Sequence, residues 1–118
     1  VFGEVTENRV HLRDKNKAAG YLEFKKARVR WFLSIDEKDL PLDIKIKNQR
    51  TYRSISIDKQ EIEFSSGFKE LHTKSYQEIM INKGFGLTET KQSIEIIHDI
   101  RNNSIEKTGE KHPFLNNF

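Results

Sequence analysis

"GYLEFKKARVRWFLSID", Gly20 to Asp36, decides the fold class. Ala27, Val29, Trp31, Leu33 and Ile35 stand at odd positions, and Arg28, Arg30, Phe32, Ser34 and Asp36 alternate with them. A sustained period of two marks a strand, because successive side chains leave a pleated backbone on opposite faces. Lys25 and Lys26 separate this strand from "AAGYLEF", Ala18 to Phe24. A two-residue turn there sets Phe24 against Ala27, Leu22 against Val29, Glu23 against Arg28 and Tyr21 against Arg30. Apolar then meets apolar on one face, and Glu23 meets Arg28 on the other. A Lys-Lys pair is poor chemistry for a turn with positive φ at both centres, so the turn is the weak point.

Further strands flank this hairpin. "RVHLR", Arg9 to Arg13, is short and alternating, and "DKNK" reads as the loop that follows it. "EKDLPLDIKIKNQR" breaks the pattern: Pro41 and mixed charges predict a loop or an edge segment. "TYRSISID" and "QEIEF" predict a second hairpin, with a turn at Lys59–Gln60 that pairs Ile57 with Ile62 and Ile55 with Phe64.

At Ser65 the period changes. Phe68, Leu71, Ser75, Tyr76, Ile79 and Met80 recur at helical spacing, with Ser65 or Ser66 as the cap and Gly84 ending the helix after Lys83. A second helix is predicted from about Thr88 to Arg101, with Thr88 as N-cap and Glu89 at the positive end of the dipole. Ile94, Ile97 and Ile100 mark its buried side, with Ile96 beside them. The remainder, ending "KHPFLNNF", reads as a polar tail. The fold class is therefore α+β: an open, mostly antiparallel sheet with two C-terminal helices packed on one face, residues 1–118 forming one domain.

The 118 residues are 35% hydrophobic and 33% charged, polar for a self-sufficient globule. A partner supplying part of the buried surface would explain that balance. Net charge is only +3 and the pI about 9.1, which does not demand nucleic acid. There is no cysteine, so disulfides and thiol chemistry are excluded. No apolar run approaches the ~20 residues that span a bilayer, so no membrane partner is expected. Val1 stands first and Met80 is the sole methionine, so the chain is expected to be a piece of something longer.

"GFGLTETKQSIEIIHDIR", Gly84 to Arg101, raises the question of a phosphate loop. A dinucleotide fingerprint needs a strand, G-x-G-x-x-G and a helix. Here a helix precedes, and the third glycine position holds Glu89, whose charge repels phosphate. The glycines are expected to join two helices. His72 shares the apolar stripe of the first helix with Phe68 and Tyr76; it is either a core histidine or a residue facing a cleft. His98 is expected at a boundary, His11 on a strand and His112 in the tail. No histidine pair has metal-ligand spacing, so no metal site is expected. Arg28, Arg30, Arg50 and Arg53 with Trp31 and Tyr52 have the composition of a single-strand nucleic-acid platform, although a salt-bridged solvated face explains them as well.

"RVRWFLSID", "RTYRSISIDKQEIEFSSGFKELHTKSYQEI" and "GFGLTETKQSIEIIHDIR", in that order, resemble the C-terminal domain of the glucose–fructose oxidoreductase/inositol dehydrogenase family. Within it, the segments are most similar to nucleotide-sugar dehydrogenases that oxidise UDP-N-acetyl-glucosaminuronate for lipopolysaccharide O-antigen synthesis. The resemblance runs from about Val1 to Arg101. It implies a missing N-terminal Rossmann domain that binds NAD, a UDP-sugar substrate and a cytoplasmic homo-oligomer assembled through the sheet. The family's catalytic lysine and histidine lie outside this chain, so no catalytic or cofactor-binding residue and no bound cofactor is expected in it alone. His72, Tyr76 and Arg53 are the candidate substrate-binding residues. Tyr21, Arg28, Arg30 and Phe32, on the face opposite Trp31, are the candidate interface. The competing reading is a free-standing interaction module that binds nucleic acid through basic aromatic hairpins.

Overall fold

A computed structural model describes residues 2–67 and 69–117. Val1, Phe68 and Phe118 lie outside the described residues, and with them the expected place of Phe68 on the first helical stripe. The chain divides into two compact units: residues 1–35 with 86–118, and residues 36–85.

The first unit holds three antiparallel strands in the order β1-β2-β3: β1 Val5–Arg13, β2 Lys17–Phe24 and β3 Ala27–Ser34. The register of β2 and β3 is the expected one, with Phe24 opposite Ala27, Leu22 opposite Val29, Glu23 opposite Arg28 and Tyr21 opposite Arg30. The turn avoids the poor chemistry of two left-handed lysines, since neither Lys25 nor Lys26 has positive φ. The amino-terminal segment supports it: the Lys25 and Lys26 amides donate to the Glu4 and Phe2 carbonyls, both at 3.1 Å. β1 starts earlier than its alternation suggested, and its register with β2 shifts between Val5 and Glu7 and between Val10 and Leu12. The β1–β2 loop is closed by Asp14, whose carboxylate accepts from the Asn16 and Lys17 amides at 2.7 and 2.8 Å, the local competition that makes aspartate a turn residue.

Gly20, in the middle strand, answers a close approach. A Cβ there would meet the Arg9 carbonyl oxygen and two Trp31 ring carbons, the latter at 2.7 and 2.9 Å. Only a residue without a side chain lets the indole lie over the sheet.

A long helix, Leu87–Asn102, completes this unit and packs against β1; it is called α3 because two helices of the second unit precede it. Asn8 of β1 donates to the Ile96 carbonyl at 3.1 Å, and Arg13 donates to the Ile100 and Asn103 carbonyls at 2.9 Å. The helix therefore turns Gln92, Ile96, Asp99 and Ile100 inward. This corrects the expected buried side: Ile94 and Ile97 are 62% and 53% exposed. The start is also corrected. Gly86, not Thr88, is the N-cap, and its amide donates to the Glu89 carboxylate at 3.0 Å. The acid at N3 thus satisfies a free amide at the positive helix end.

In the second unit the predicted loop contains a 3-10 turn, Glu37–Asp39, capped by Asp36, and a short helix α1, Leu42–Ile46. Pro41 precedes its first residue, where a missing N–H costs nothing. The second hairpin is β4 Ser54–Ile57 and β5 Gln60–Glu63. Its turn is Asp58–Lys59, both left-handed at φ 49° and 67°, so Ile57 opposes Gln60 and Ile55 opposes Ile62. The pairing differs from the expected one by two residues, a shift that leaves every side chain on its own face. The helix α2 runs Leu71–Met80 and starts after Glu70, which is itself left-handed. Ser65 is not its cap. Its hydroxyl accepts from the Arg53 amide at 2.9 Å, and its own amide donates to Glu63 at 2.8 Å, so it closes the hairpin instead. α2 ends earlier than expected. Asn82 takes the left-handed position, and the Lys83 and Asn82 amides return to the Glu78 and Ile79 carbonyls at 2.8 and 3.1 Å, a Schellman closure. Gly84 is required for a different reason: a Cβ would stand 2.8 Å from Ile79 Cγ1.

Val10, Ala19 and Tyr21 form the buried core of the first unit with His11, and Ile44 is buried in the second. Among the described residues no helix is long and apolar enough to cross a membrane.

Candidate functional site

The three substrate-site candidates all lie in the second unit. His72 and Tyr76 stand one helical turn apart on α2, and both are exposed, Tyr76 by 68%. His72 is therefore not a core histidine. Arg53 sits at the foot of the β4–β5 hairpin, its carbonyl accepting the Phe64 amide at 2.8 Å while its side chain is open to solvent. Beside it, Ser54 donates to the Tyr52 hydroxyl at 3.0 Å, and Tyr52 in turn donates to Glu61. The bond to Glu61 pushes the Tyr52 phenol up, and the same bond holds the Glu61 carboxyl below its usual range. This polar face of the hairpin is pre-ordered. The other face carries Ile55, Ile57 and Ile62, each more than half exposed.

The start of α3 carries Gly84 and Gly86, the glycines that raise the question of a phosphate loop. There the Glu89 carboxylate already occupies the Gly86 amide. An anion on this helix end would have to displace a fixed negative charge, so the residues present do not fit a dinucleotide.

On the first unit's sheet, Arg9, Tyr21 and Arg30 are cross-strand neighbours on one face, with Glu23 and Arg28 alongside. Trp31 lies on the opposite face, so it does not join Arg28 and Arg30; the aromatics beside them are Tyr21 and Phe32. Arg28 pairs with Glu110 at 3.7 Å. The expected interface residues differ in access: Arg28 and Arg30 are exposed, Phe32 is half-buried and Tyr21 is only 6% exposed. Burial pushes the Tyr21 phenol up, aided by its 2.9 Å bond to Glu23.

The cover over Tyr21 and Phe32 is the C-terminal segment, whose sequence alone reads as a polar tail. It first runs beside the outer edge of β1, where Ile105 bridges Val10 and the Glu106 amide donates to the Val10 carbonyl at 2.7 Å. His11 Nε2 meets the Thr108 carbonyl at 3.0 Å; a carbonyl only accepts, so this nitrogen carries the hydrogen. Gly109, at φ +94°, turns the chain past Arg9. His112 then stacks on Phe32 with centroids 5.7 Å apart, and Phe114 meets the same ring edge-on at 5.5 Å. The aromatics spaced within "KHPFLNNF" were the available signal.

The fold has counterparts among solved structures. No family model matches the chain. The chain is similar to the WlbA (WbpB) dehydrogenase of Thermus thermophilus, solved with NAD and alpha-ketoglutarate, at 42% identity and a TM-score of 0.90. A second structure of that dehydrogenase, with NAD and UDP-GlcNAcA, matches at 40% identity and the same TM-score. Each match covers 96% of this chain and 37% of the dehydrogenase chain. Fold and sequence together thus liken the chain to a segment of a dehydrogenase solved with NAD and UDP-GlcNAcA. In particular, the chain is similar to the WlbA (WbpB) dehydrogenase and spans 37% of that protein's length.

Proposed function

We propose that residues 1–118 are the C-terminal domain of an NAD-dependent dehydrogenase acting on UDP-N-acetyl-glucosaminuronate. In this reading the domain forms part of the sugar-nucleotide pocket and the subunit contact. The reaction oxidises the sugar 3-hydroxyl to a ketone in the cytoplasm, as a step toward a lipopolysaccharide O-antigen sugar. The observation that carries this reading is 40% identity, over 96% of the chain, to a dehydrogenase solved with NAD and UDP-GlcNAcA.

NAD would take the hydride, held by an N-terminal Rossmann domain, since the α3 start of this chain rejects an anion. The contribution of this chain is binding. Arg53 offers a planar guanidinium, and His72 and Tyr76 a ring nitrogen and a phenol, all suited to the carboxylate or diphosphate of such a substrate. Because they would hold parts of the substrate remote from the reacting carbon, they would serve by positioning it for transfer. Tyr21, Arg28, Arg30 and Phe32 lie on the proposed subunit face, with Arg28 and Arg30 directed to the partner. The full reaction is tested by following NADH formation in the intact enzyme with UDP-GlcNAcA. Turnover that weakens through KM in Arg53→Ala supports the assignment; an intact enzyme that does not reduce NAD with this sugar refutes it.

A further inference from the structure

His112 holds two things at once. Its ring stacks on Phe32 of β3, and its Nδ1 lies 3.2 Å from the Phe114 amide, which donates to it. The second bond fixes the start of the final turn, Pro113–Asn117, and so delivers Phe114 to the edge of Phe32. Nδ1 can accept that bond only while it carries no proton. An imidazolium has a hydrogen on both nitrogens, and one of them would then face the Phe114 N–H.

We propose that the C-terminal segment is a pH-sensitive strap, closed over Tyr21 and Phe32 while His112 is neutral and released in mild acid. Protonation turns the acceptor into a donor, undoes the turn, and places a second cation beside Arg30. The other charged and titratable groups facing the strap or carried on it are Arg28 paired with Glu110, Tyr21 bonded to Glu23, Arg9 paired with Glu7 and Glu106, His11 bonded to the Thr108 carbonyl, and Lys107 and Lys111. Glu110 is already engaged by Arg28 and Glu23 by Tyr21. Burial and Arg30 both hold the His112 ring below its ordinary pKa, in agreement with the bonding. A depressed folded value means that closure is complete above the ordinary histidine range and is lost as pH falls. The strap is local, so its opening leaves the three-stranded sheet paired. It holds whatever reaction the intact enzyme performs.

The test is nuclear magnetic resonance on the protein, following the contact between the Phe32 and Phe114 rings from about pH 7.5 to about pH 5.5, across the histidine range. The contact is expected to disappear with the same midpoint as the His112 ring titration, while β2–β3 contacts persist. In His112→Asn, which keeps a neutral acceptor near Nδ1, the contact is expected to survive at the lower pH. A wild-type contact that persists in acid overturns the proposal, as does one lost at a midpoint different from that of His112. If the asparagine variant does not dock its strap at neutral pH, comparison of the two wild-type midpoints still decides.

Discussion

Gly20→Ala is expected to destabilise the first unit severely. The added methyl would lie against the Arg9 carbonyl oxygen and 2.7 and 2.9 Å from Trp31 ring carbons, distances that real Cβ atoms do not adopt. Trp31 could turn aside, but the carbonyl cannot, because β1 is paired with β2 on both sides of this point. Relief therefore requires the two strands to separate where Val10, fully buried, opposes Gly20. Overpacking of a well-filled site costs about 1–3 kcal/mol, and a backbone obstacle places this case at the upper end. For a domain of this size that lowers Tm by about 10–20 °C. Urea and thermal melts followed by far-UV circular dichroism measure the loss, and Trp31 fluorescence reports the displaced indole. Gly84→Ala is the comparison: its obstacle is one Ile79 side-chain carbon at 2.8 Å, which can rotate, so the cost should be smaller. A Gly20→Ala protein within about 0.5 kcal/mol of the parent, the scatter of ordinary surface substitutions, would refute the close-packed reading of this sheet.

Other expected outcomes are more local. Phe114→Ala should leave the three strands intact but free the strap, costing about 1 kcal/mol from the lost edge-on ring contact, seen as faster amide exchange at Glu106. Glu89→Ala should weaken the α3 start by about 1 kcal/mol through the lost bond to Gly86, read as fraying by exchange at residues 87–90. The Glu61 and Glu63 carboxyls are held low by bonds to Tyr52 and Ser65 respectively. Their contribution to the second hairpin is complete above the ordinary value of 4.5 and is lost as pH falls through their lower folded values. Tyr52→Phe should reduce that acid sensitivity, measured by hairpin chemical shifts.

The β2–β3 hairpin is legible in the sequence because its two faces differ in kind, so that only one register puts apolar against apolar and Glu23 against Arg28. The second hairpin is legible in outline but not in pairing. Ile55, Ile57 and Ile62 stay on one face in either register, and a period of two cannot separate registers two residues apart. The α2 boundaries are hidden because each expected terminus residue serves elsewhere. Ser65 closes the hairpin, and Gly84 makes room for Ile79. Ile94 and Ile97 look inward in the sequence because helical spacing gives a stripe without saying which flank faces the sheet; the Asn8 and Arg13 bonds to α3 carbonyls set that rotation. The strap is invisible for a related reason. Its attachment runs through the backbone at Val10 and through His112 and Phe114, residues too sparse in a polar tail to form a period. His72 and Tyr76 do share one helix face, but amphipathic spacing cannot tell a face that packs in the chain from one that stands exposed on it.

The two hairpin turns make opposite demands, and the contrast is testable. Asp58 and Lys59 both have positive φ, the geometry of the primed turn that matches strand twist. A left-handed residue other than glycine costs roughly 1–2 kcal/mol, less for aspartate because its short side chain bonds locally. Lys59→Gly removes that cost but gains about 0.4–1 kcal/mol of unfolded-chain entropy to lose. The net is a stabilisation of about 0.5 kcal/mol by this difference of terms. It should be visible because a two-stranded hairpin is marginal, and this one leaves its isoleucine face more than half exposed. Lys26→Gly should have the reverse sign. That residue has no positive φ to relieve, and its turn is fastened by amide bonds to the amino-terminal segment. Amide protection at Ile57 and at Ala27 reads each hairpin separately. Lys59→Gly that lowers protection at Ile57, or Lys26→Gly that raises it at Ala27, would show that backbone conformation does not set the stability of these turns.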